Sequence, residues 1–497
     1  MQSSKSFQAT TRNKKQSEAD HLRLVFAEKE IIVLYSVFSD TIAAISTPRG
    51  CGGIAVIRIS GDDAISVADK FIVTKCKKTL AEVSPNSAVV ADMIGDDGKV
   101  LDTGVVTVFR TPKSFTGEDT VEISCHGGVL ITESVLARAL SCGAVQAGPG
   151  EFTRRAFSAG KISLSQAESI SDLITAKSHA ALRLSRINAS GALAEKTDEI
   201  YDDIKNILSA VYAGIDFPDE DLSPVTPEEM RDGILKATEK LRALKNSYKA
   251  GHAVVEGIKT VICGKPNTGK STLLNLLCKS DRAIVTDIAG TTRDVITESV
   301  VCGNAALLIS DTAGIRETSD MIEAAGVKRS IDSLSGCELI FAVFDGSSPL
   351  DDDDEKIIQI VSKQRDDGAC AVAILNKADK GSAVSASELD GMFDAVIRIS
   401  ANDPSSYETA ERTVAGLFNC GSIGEDDSAT VTSARQYAKI CTALEATESA
   451  LAALQSAGED FAGGELEIAM AALGELDGRA VGIDIVDDIF SKFCVGK

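Results

Sequence analysis

The sequence contains no apolar run long enough to span a bilayer, which requires about 18 residues or more. The apolar stretch Ile31–Phe38 is too short and lies close to the acids Glu28 and Glu30. Hydrophobic residues make up 44% of the chain and charged residues 25%, a balance typical of soluble globular proteins. We therefore predict a soluble protein that has no membrane partner.

The twelve cysteines include no Cys-x-x-Cys pair, so the sequence indicates neither a zinc site nor a redox dithiol. Scattered cysteines in a chain of 497 residues are typical of small buried side chains in a reducing compartment. This predicts a cytoplasmic protein in which every cysteine except Cys494 is a packing residue.

An excess of basic residues is also lacking. The chain has 73 Asp and Glu against 51 Lys and Arg, a formal charge of −22. A protein that grips nucleic acid by bulk electrostatics needs clustered Lys and Arg to neutralise phosphates. The composition therefore argues against RNA binding over a broad surface and leaves open a local basic patch or a basic partner.

Changes in composition and periodicity divide the chain into five segments. Residues 1–39 are predicted to be a disordered extension or an over-long start, and residues 40–151 a compact α+β domain of short strands and turns. Residues 257–420 alternate strand, turn and helix, the pattern of a parallel sheet with crossover helices. The helical regions 152–256 and 421–497 are predicted to pack together as one discontinuous domain into which 257–420 is inserted.

Local patterns predict the elements within these segments. In the first domain they are Thr41–Ser46, Ile54–Ser60, Val105–Arg110 and Val121–Ser124 as strands and Leu130–Ser141 as a helix. In the helical region, apolar residues at helical spacing predict one buried face formed by Leu164, Ala167, Ile170, Leu173 and Ile174.

A phosphate-binding loop lies between the predicted strand Thr260–Cys263 and the helix Thr272–Cys278. Residues 264–271 read Gly-Lys-Pro-Asn-Thr-Gly-Lys-Ser, the G-x-x-x-x-G-K-S pattern of a P-loop. Such a loop turns its backbone N–H groups toward phosphates at a helix N-terminus, whose dipole favours anions. Lys270 is expected to contact the β- and γ-phosphates, and Ser271 to donate a hydroxyl ligand to Mg²⁺.

Later motifs indicate GTP rather than ATP. Asp311 and Gly314 belong to an Asp-Thr-Ala-Gly motif, where Asp311 would hold Mg²⁺ through water and the Gly314 N–H would contact the γ-phosphate. Asp379 ends an Asn-Lys-Ala-Asp motif, and its carboxylate can accept both N1–H and the 2-amino group of guanine, donors that adenine lacks. Ser400 and Ala401 follow the next strand and are expected to contact the guanine oxygen.

The residue that positions the attacking water cannot be the usual one. Ras-like switches place a Gln immediately after the Asp-x-x-Gly motif for this purpose. Here that position is Ile315, so the catalytic group must come from another part of the protein.

Several motifs are similar to those of the TrmE–Era–EngA GTPase superfamily. These are Asn267 in the P-loop, Asp287–Asp294 (Asp-Ile-Ala-Gly-Thr-Thr-Arg-Asp) and Asp311–Arg316 (Asp-Thr-Ala-Gly-Ile-Arg). From Asp40 to the last residue the chain resembles one family of this group, the tRNA modification GTPases MnmE (TrmE). The motifs that carry this resemblance are Asp40–Ala44, Thr47–Ile54, Ile57–Gly61, Ser114–Asp119, His126–Gly128, Pro149–Phe152, Ala213–Pro218 and the terminal Cys494–Lys497. The departures are the N-terminal extension and the residues Arg49 and Cys51 in a loop that usually reads Pro-Gly-Arg-Gly-Gly.

The resemblance implies an activity and a set of partners. Such proteins form homodimers through the N-terminal domain, which binds 5-formyl- or 5,10-methylene-tetrahydrofolate. With an FAD-dependent partner (MnmG, also called GidA), they add an aminomethyl or carboxymethylaminomethyl group to the wobble uridine of certain tRNAs, and FAD enters only through that partner. Their GTPase domains pair across the nucleotide in the presence of K⁺. The partner would then supply most of the contacts that bind tRNA, because this acidic chain has few basic residues to spare for them.

The same resemblance assigns roles to individual residues. K⁺ would be held by Asn267, Thr286, Ile288 and Thr291, and a cation there would stabilise charge between the phosphates where other GTPases use an arginine. Thr292 would join Ser271 on Mg²⁺, and Glu323 would position the attacking water. The full predicted set of GTP-contacting residues is Asn267, Thr268, Gly269, Lys270, Ser271 and Thr272; Thr286, Asp287, Ile288, Ala289, Gly290, Thr291 and Thr292; Asp311, Thr312, Ala313 and Gly314; Asn376, Lys377 and Asp379; and Ser400 and Ala401.

A second site is implied in the N-terminal domain. The folate would be bound by Arg58, Glu122, Lys161 and Lys497. A carboxylate such as that of Glu122 can accept two hydrogen bonds from adjacent N–H donors of a pterin, and the cations suit the glutamate tail. Cys494 would lie beside this site, either as a catalytic thiol whose thiolate form a nearby cation favours or as a residue that only shapes the pocket.

Two other functions remain open from the sequence. One is a ribosome-assembly GTPase of the Era or EngA kind, although neither a basic KH-like domain nor a second GTPase domain is visible in the sequence. The other is a regulatory GTPase that dimerises with GTP and takes no part in modification chemistry. The intact terminal Cys-x-Gly-Lys motif argues against the second alternative.

Overall fold

The computed structural model describes residues 40–216, 226–278, 298–309, 336–421, 428–456 and 458–497. The chain separates into two compact units. The N-terminal unit comprises the residues up to Ala167 together with Gly482–Lys497, and the central unit comprises Glu168–Val481. The five predicted domain boundaries remain a prediction.

The N-terminal unit is built on a seven-stranded sheet in the order β3-β4-β5-β6-β2-β1-β7. In this sheet the short β1–β7 pair is parallel. All other neighbouring strands pair antiparallel. The strands are β1 (Ile42–Ile45), β2 (Ile54–Ser60), β3 (Ile72–Thr74), β4 (Ser87–Ile94), β5 (Val100–Phe109), β6 (Thr120–His126) and β7 (Val145–Gln146). Strand side chains alternate between the two faces of the sheet, and one set of them, including Ile57, Val106 and Ile123, is fully buried.

Two helices complete the core of this unit, α1 (Ala64–Asp69) and α2 (Val129–Ser141). Their apolar side chains, such as Ala68 and Val135, belong to the same buried cluster as the sheet residues. The predicted α+β architecture is confirmed, and the predicted helix Leu130–Ser141 differs from α2 by one residue.

The C-terminal segment belongs to the N-terminal unit. Helix α13 (Ile483–Ser491) packs against α3 (Glu151–Ser158), with the rings of Phe157 and Phe490 6.2 Å apart and an ion pair of 2.8 Å between Arg154 and Asp487. From the sequence alone, this segment is expected to pack on the helical domain. In the structure its partner α3 is part of the same compact unit as the N-terminal sheet.

The central unit contains a six-stranded sheet in the order β13-β12-β11-β8-β10-β9. All neighbouring pairs are parallel except β9–β10. The strands are β8 (Ile258–Cys263), β9 (Glu298–Cys302), β10 (Ala305–Ile309), β11 (Leu339–Asp345), β12 (Cys370–Asn376) and β13 (Ala395–Arg398). The described helices that connect them are α8 (Lys270–Cys278), α9 (Asp352–Asp366) and α10 (Ser406–Phe418). This confirms the predicted P-loop GTPase fold with a mainly parallel sheet.

Six further helices of the chain come from both sides of the GTPase segment. They are α4 (Leu164–Thr175), α5 (His179–Ala189), α6 (Ala192–Asp216), α7 (Pro227–Val255), α11 (Ala434–Ser456) and α12 (Glu459–Asp477). Ile204, Leu241, Leu444 and Leu473 are buried in one shared core, so helices of the two predicted helical regions pack together, whereas α3 and α13 belong to the N-terminal unit.

Two sequence expectations need correction. Of the predicted buried face of α4, Leu164 and Ala167 are buried but Ile174 is 45% exposed. Among the cysteines, Cys51 and Cys76 are exposed as well as Cys494, so Cys51 and Cys76 are not packing residues.

Within the part of the chain that the structure describes, no helix combines the length and the apolar character of a membrane span.

Candidate functional site

The P-loop runs from the end of β8 into α8, as the sequence predicts. Gly269 has φ of 99°, and a Cβ atom at this position would lie 2.1 Å from the Asn376 Nδ2. Only glycine satisfies both conditions, because L side chains rarely adopt this φ and no room exists for one. Asn267 also has a positive φ, 62°, a conformation that asparagine tolerates better than most residues.

Lys270 lies against the loop that it follows. Its Nζ donates hydrogen bonds to the carbonyl oxygens of Gly264 at 2.8 Å and Lys265 at 2.7 Å. Burial lowers the pKa of the Lys270 ammonium. Thr268 is buried, and its hydroxyl also donates to the Lys265 carbonyl, at 2.9 Å. The loop is therefore closed on itself around the side chain that is expected to contact the phosphates.

Asn376 joins three of the predicted motifs. Its Nδ2 donates to the Thr268 carbonyl at 2.8 Å, and its Oδ1 accepts from the Ala401 N–H at 2.9 Å. The side chain is almost fully buried, so these hydrogen bonds are costly to lose. The P-loop, the end of β12 and the segment that follows β13 are thereby held together at one edge of the sheet.

Asp379 lies beside this junction. The Ser400 hydroxyl donates to its Oδ1 at 2.7 Å, and this hydrogen bond holds the pKa of the Asp379 carboxyl below its ordinary value. The group is therefore ionised at neutral pH and can accept two N–H donors. The predicted pair of Asp379 and Ser400 is brought together in the structure.

Asp345, which is not among the residues predicted from the sequence, secures the base-recognition segment. Lys377 has φ of 64° and its Nζ donates to the Asp345 Oδ2 at 2.6 Å. Burial by itself would raise the pKa of Asp345, but hydrogen bonds from Lys377 and Ser347 lower it to about 2. Its position as the last residue of β11, next to the carboxyl end of β12, is the signal that could have identified it.

A second missed contact supports the P-loop from α9. The Lys265 Nζ lies 2.6 Å from the Asp351 Oδ2 and 2.7 Å from the Asp354 Oδ2. The Asp354 side chain is nearly buried, at 4% exposure. Burial by itself would lower the pKa of Lys265, but the hydrogen bonds to Asp351 and Asp354 raise it. These acids cap the N-terminus of α9, so Lys265 also neutralises negative charge close to the phosphate loop.

The remaining predicted nucleotide residues lie outside the described part of the chain. They are Thr286, Asp287, Ile288, Ala289, Gly290, Thr291, Thr292, Asp311, Thr312, Ala313, Gly314 and Glu323.

In the N-terminal unit, the predicted folate residues Arg58 and Glu122 are directly opposite each other on β2 and β6. The Arg58 guanidinium donates to the Glu122 Oε1 through Nε at 2.9 Å and lies 2.8 Å from it through Nη2. It also lies over the rings of Phe115, at 5.7 Å, and Phe152, at 5.4 Å. The sequence analysis did not assign a role to these two aromatic residues.

The other two predicted folate residues lie next to the same aromatic pair. The Lys161 Nζ donates to the carbonyls of Pro112, at 2.8 Å, and Ser114, which precedes Phe115. The Lys497 carbonyl accepts from the Phe152 N–H at 3.1 Å. The structure thus pairs Arg58 with Glu122 and attaches Lys161 and Lys497 to the two segments whose aromatic rings lie under Arg58.

The terminal Cys494 is exposed, and its backbone is attached to the same region. Its carbonyl accepts from the Gly150 N–H at 3.4 Å, and Val495 forms a β-bridge with Pro149. The terminal segment therefore lies along the start of α3, next to Phe152.

A buried ion-pair network beneath this site was also missed. The Arg155 side chain is only 2% exposed and pairs with Glu118 and Glu151, each at 3.0 Å. The Ser60 hydroxyl donates to Glu118 at 2.7 Å. Because these residues come from α3, the Ser114–Asp119 loop and β2, the network connects the elements that carry the predicted folate residues.

A depression in this unit borders the terminal segment. A cavity of about 470 Å³ is bounded by the loop Thr47–Gly50, by α2 and by Val495. Nearby apolar side chains are exposed to solvent, with Leu130 at 80% and Ile54 at 70%.

Comparison with known proteins identifies the family. The family described as GTP-binding protein TrmE N-terminus matches residues 41–161, and the family described as MnmE helical domain matches residues 164–494, more than half of the chain. The chain belongs to the MnmE family of tRNA modification GTPases.

Full-length relatives support this assignment. The tRNA modification GTPase MnmE of Lachnoclostridium phytofermentans is 38% identical over 92% of this chain and 100% of its own length. The MnmE of Carboxydothermus hydrogenoformans is 40% identical over 93% of this chain and 100% of its own length.

Among solved structures, an Era variant from Aquifex aeolicus bound to GDP and AlF4− is 23% identical to this chain. The match covers 38% of this chain and 66% of the Era chain, with a TM-score of 0.23.

Membership of the MnmE family confirms the predicted enzyme class, a GTPase of tRNA modification. It implies GTP and Mg²⁺ as nucleotide and metal. The residues present fit this ligand, since the glycine-rich loop, Lys270 and the ionised Asp379 supply N–H donors, a cation and a guanine acceptor at one sheet edge.

Proposed function

We propose that this chain is a K⁺-stimulated GTP hydrolase that acts with an FAD-dependent partner of the MnmG (GidA) type. Together they add an aminomethyl or carboxymethylaminomethyl group to C5 of the wobble uridine in certain tRNAs, with a tetrahydrofolate as the one-carbon source. The observation that carries the proposal is the Asn376 junction, which unites the P-loop and the guanine-recognition residues in a member of the MnmE family.

In this proposal the nucleotide site works by positioning and electrostatics. P-loop N–H groups and Lys270 bind the phosphates, Ser271 and Thr292 hold Mg²⁺, and Asp379 selects guanine. Mg²⁺ supplies charge that stabilises the transferring phosphoryl group. Glu323 positions the attacking water in place of the glutamine that Ile315 replaces, and a Glu323→Ala variant with unchanged kcat would remove Glu323 from this role.

The folate site is proposed around Arg58 and Glu122. Both Arg58 contacts use the Glu122 Oε1, which leaves Oε2 to accept from a pterin N–H. The Lys161 ammonium has three donors, two of which contact the carbonyls of Pro112 and Ser114. The third can meet a carboxylate of the glutamate tail, as can the terminal Lys497 ammonium. Unchanged binding of 5-formyl-tetrahydrofolate by a Glu122→Gln variant would exclude this assignment.

Homodimerisation through the N-terminal unit is part of the same proposal. The exposed apolar residues Ile54 and Leu130 support it, because large exposed apolar side chains are covered when an interface forms. A purely monomeric protein in sedimentation at micromolar concentration would contradict it.

The proposed function is tested by mass spectrometry of wobble uridines. Total tRNA from cells that lack this chain should contain no aminomethyl or carboxymethylaminomethyl uridine at the wobble position, and the intact gene should restore it. Unchanged modification in the deletion strain would favour the alternative, a ribosome-assembly or regulatory GTPase without modification chemistry.

Potassium dependence is expected because Asn267 is in the P-loop and no glutamine follows Gly314. A cation bound between the phosphates stabilises the charge that develops during hydrolysis, so turnover should fall by about tenfold or more when Na⁺ replaces K⁺. The measurement is phosphate release at equal ionic strength, with GTP affinity determined in both salts. Equal rates in K⁺ and Na⁺ would contradict the proposed cation site.

A further inference from the structure

Helix α5 is held firmly in the central unit by its inward face. Ala180, Ala181 and Leu184 are buried in the same apolar core as Val254 of α7. The Asn188 side chain is also buried and donates to the Thr430 carbonyl at 2.7 Å. Because these contacts fix the rotation of the helix, the side chains on its other face point to solvent in a defined arrangement.

The outward face of α5 is cationic. His179, Leu182, Arg183 and Arg186 are exposed, and their spacing of i, i+3, i+4 and i+7 places them on one side of the helix. From His179 to Arg186 this side extends about 10 Å along the axis. We refer to the part of this side that carries Arg183 and Arg186 as the cationic face.

No acid neutralises this face from within the helix, since residues 179–189 contain neither Asp nor Glu. Within the described ranges, neither Arg183 nor Arg186 takes part in an ion pair. The neighbouring helix α6 differs, because its Lys196 pairs with Glu199 at 2.7 Å. The same Glu199 lies 2.7 Å from Lys240 of α7. In a chain with a formal charge of −22, acids outnumber Lys and Arg, so a basic side chain usually has an acid available to pair with.

The helix dipole accounts for only part of this charge, because Arg186 lies in the last turn, where the dipole favours cations, whereas Arg183 lies outside both end turns. Lys177 lies just before the N-cap Ser178, where the helix dipole favours acids and disfavours cations. Arg183 has neither a dipole contribution nor an acid to pair with among the described residues, which suggests a ligand that carries negative charge.

We propose that the cationic face of α5 binds the phosphate backbone of RNA. This inference rests on the proposed function, because it assumes that the RNA is the tRNA substrate. Arg183 and Arg186 are one helical turn apart, and each guanidinium can donate two hydrogen bonds to one phosphate. Phosphate contacts position a nucleic acid without reading its sequence. The face is the local basic patch through which an otherwise acidic chain can hold tRNA.

The test is a double variant, Arg183→Gln with Arg186→Gln, in the full chain. Binding of a tRNA transcript is measured over a series of KCl concentrations. Loss of two phosphate contacts should lower the slope of log K against log salt by roughly 1.4 to 1.8, and weaken binding about 20-fold or more at 0.1 M salt. GTP hydrolysis in the absence of tRNA should be unchanged.

A matched control is available on α7. Arg231 and Lys236 are exposed, and the variant Arg231→Gln with Lys236→Gln removes the same charge from the same unit. If both double variants weaken tRNA binding equally, the effect is one of net charge and the inference is wrong. An unchanged salt slope in the α5 variant would also overturn it, as would weaker binding of an acidic protein partner with tRNA binding intact.

Failure of this inference can be distinguished from failure of the proposed function. If the wild-type chain does not bind the tRNA transcript, the cationic face is not an RNA site, whereas loss of wobble modification in the deletion strain would still support the proposed function. If wobble uridines are unchanged in that strain, the proposed function fails, and salt-dependent binding through α5 would then identify a different RNA ligand.

Discussion

Replacement of Asp379 by Asn is expected to abolish the preference for guanine nucleotides and to make xanthosine triphosphate the better substrate. The carboxylate accepts two donors of guanine, whereas an amide presents one acceptor and one donor group. Xanthine carries an oxygen where guanine has its 2-amino group, so the amide can donate to it. Because the bound base covers this side chain, the wrong base would leave one of its polar groups unpaired, and the ratio of kcat/KM for GTP to that for xanthosine triphosphate should change by about 10⁴-fold.

The measurement is kcat/KM for both nucleotides in the variant and the parent protein. Asp403→Asn is a suitable control, since Asp403 is also exposed, lies in the adjacent loop and accepts side-chain hydrogen bonds only from Ser405 among the described residues. The control should keep its preference for GTP. If Asp379→Asn prefers GTP by the original margin, the guanine site has been assigned to the wrong residues.

Deletion of Cys494–Lys497 is expected to abolish tRNA modification while K⁺-dependent GTP hydrolysis continues. In the structure this segment bonds to Gly150 and Phe152, and Phe152 contacts Arg58. Its removal takes away Lys497 and exposes the aromatic side of the proposed folate site. The nucleotide residues lie in the other compact unit, so their hydrogen bonds are not part of the loss.

Two single substitutions refine this experiment. Gly496 has φ of 96°, and a Cβ atom there would lie 2.3 Å from the Ile45 carbonyl oxygen, so Gly496→Ala should displace the segment and reduce modification strongly while Cys494 is retained. Cys494→Ser should reduce modification to a similar extent if the sulfur takes part in the chemistry. Lys492→Gln, an exposed change just before the segment, is the control. Wobble uridines are quantified by mass spectrometry, together with binding of 5-formyl-tetrahydrofolate. Normal modification in cells that carry only the chain truncated after Phe493 would show that the segment is only a helix end.

The sequence alone determines the nucleotide chemistry of this protein, because the groups that carry it are close together along the chain. In residues 264–271 the glycines, Lys270 and Ser271 occupy one short loop, and the strand before it and the helix after it are evident from local patterns. The choice of guanine depends on the single carboxylate of Asp379. Local motifs of this kind can be recognised from the sequence, because a few consecutive backbone angles set their geometry.

Tertiary structure alone decided which distant residues meet. Arg58 faces Glu122 because β2 and β6 pair antiparallel in one particular register, and a shift of one residue would turn both side chains to the other face. The terminal segment reaches Phe152 because α13 packs on α3. The cationic face of α5 points to solvent because Ala180, Ala181 and Leu184 are buried in a core shared with α7. None of these follows from local spacing, since each depends on packing between segments that are far apart in sequence.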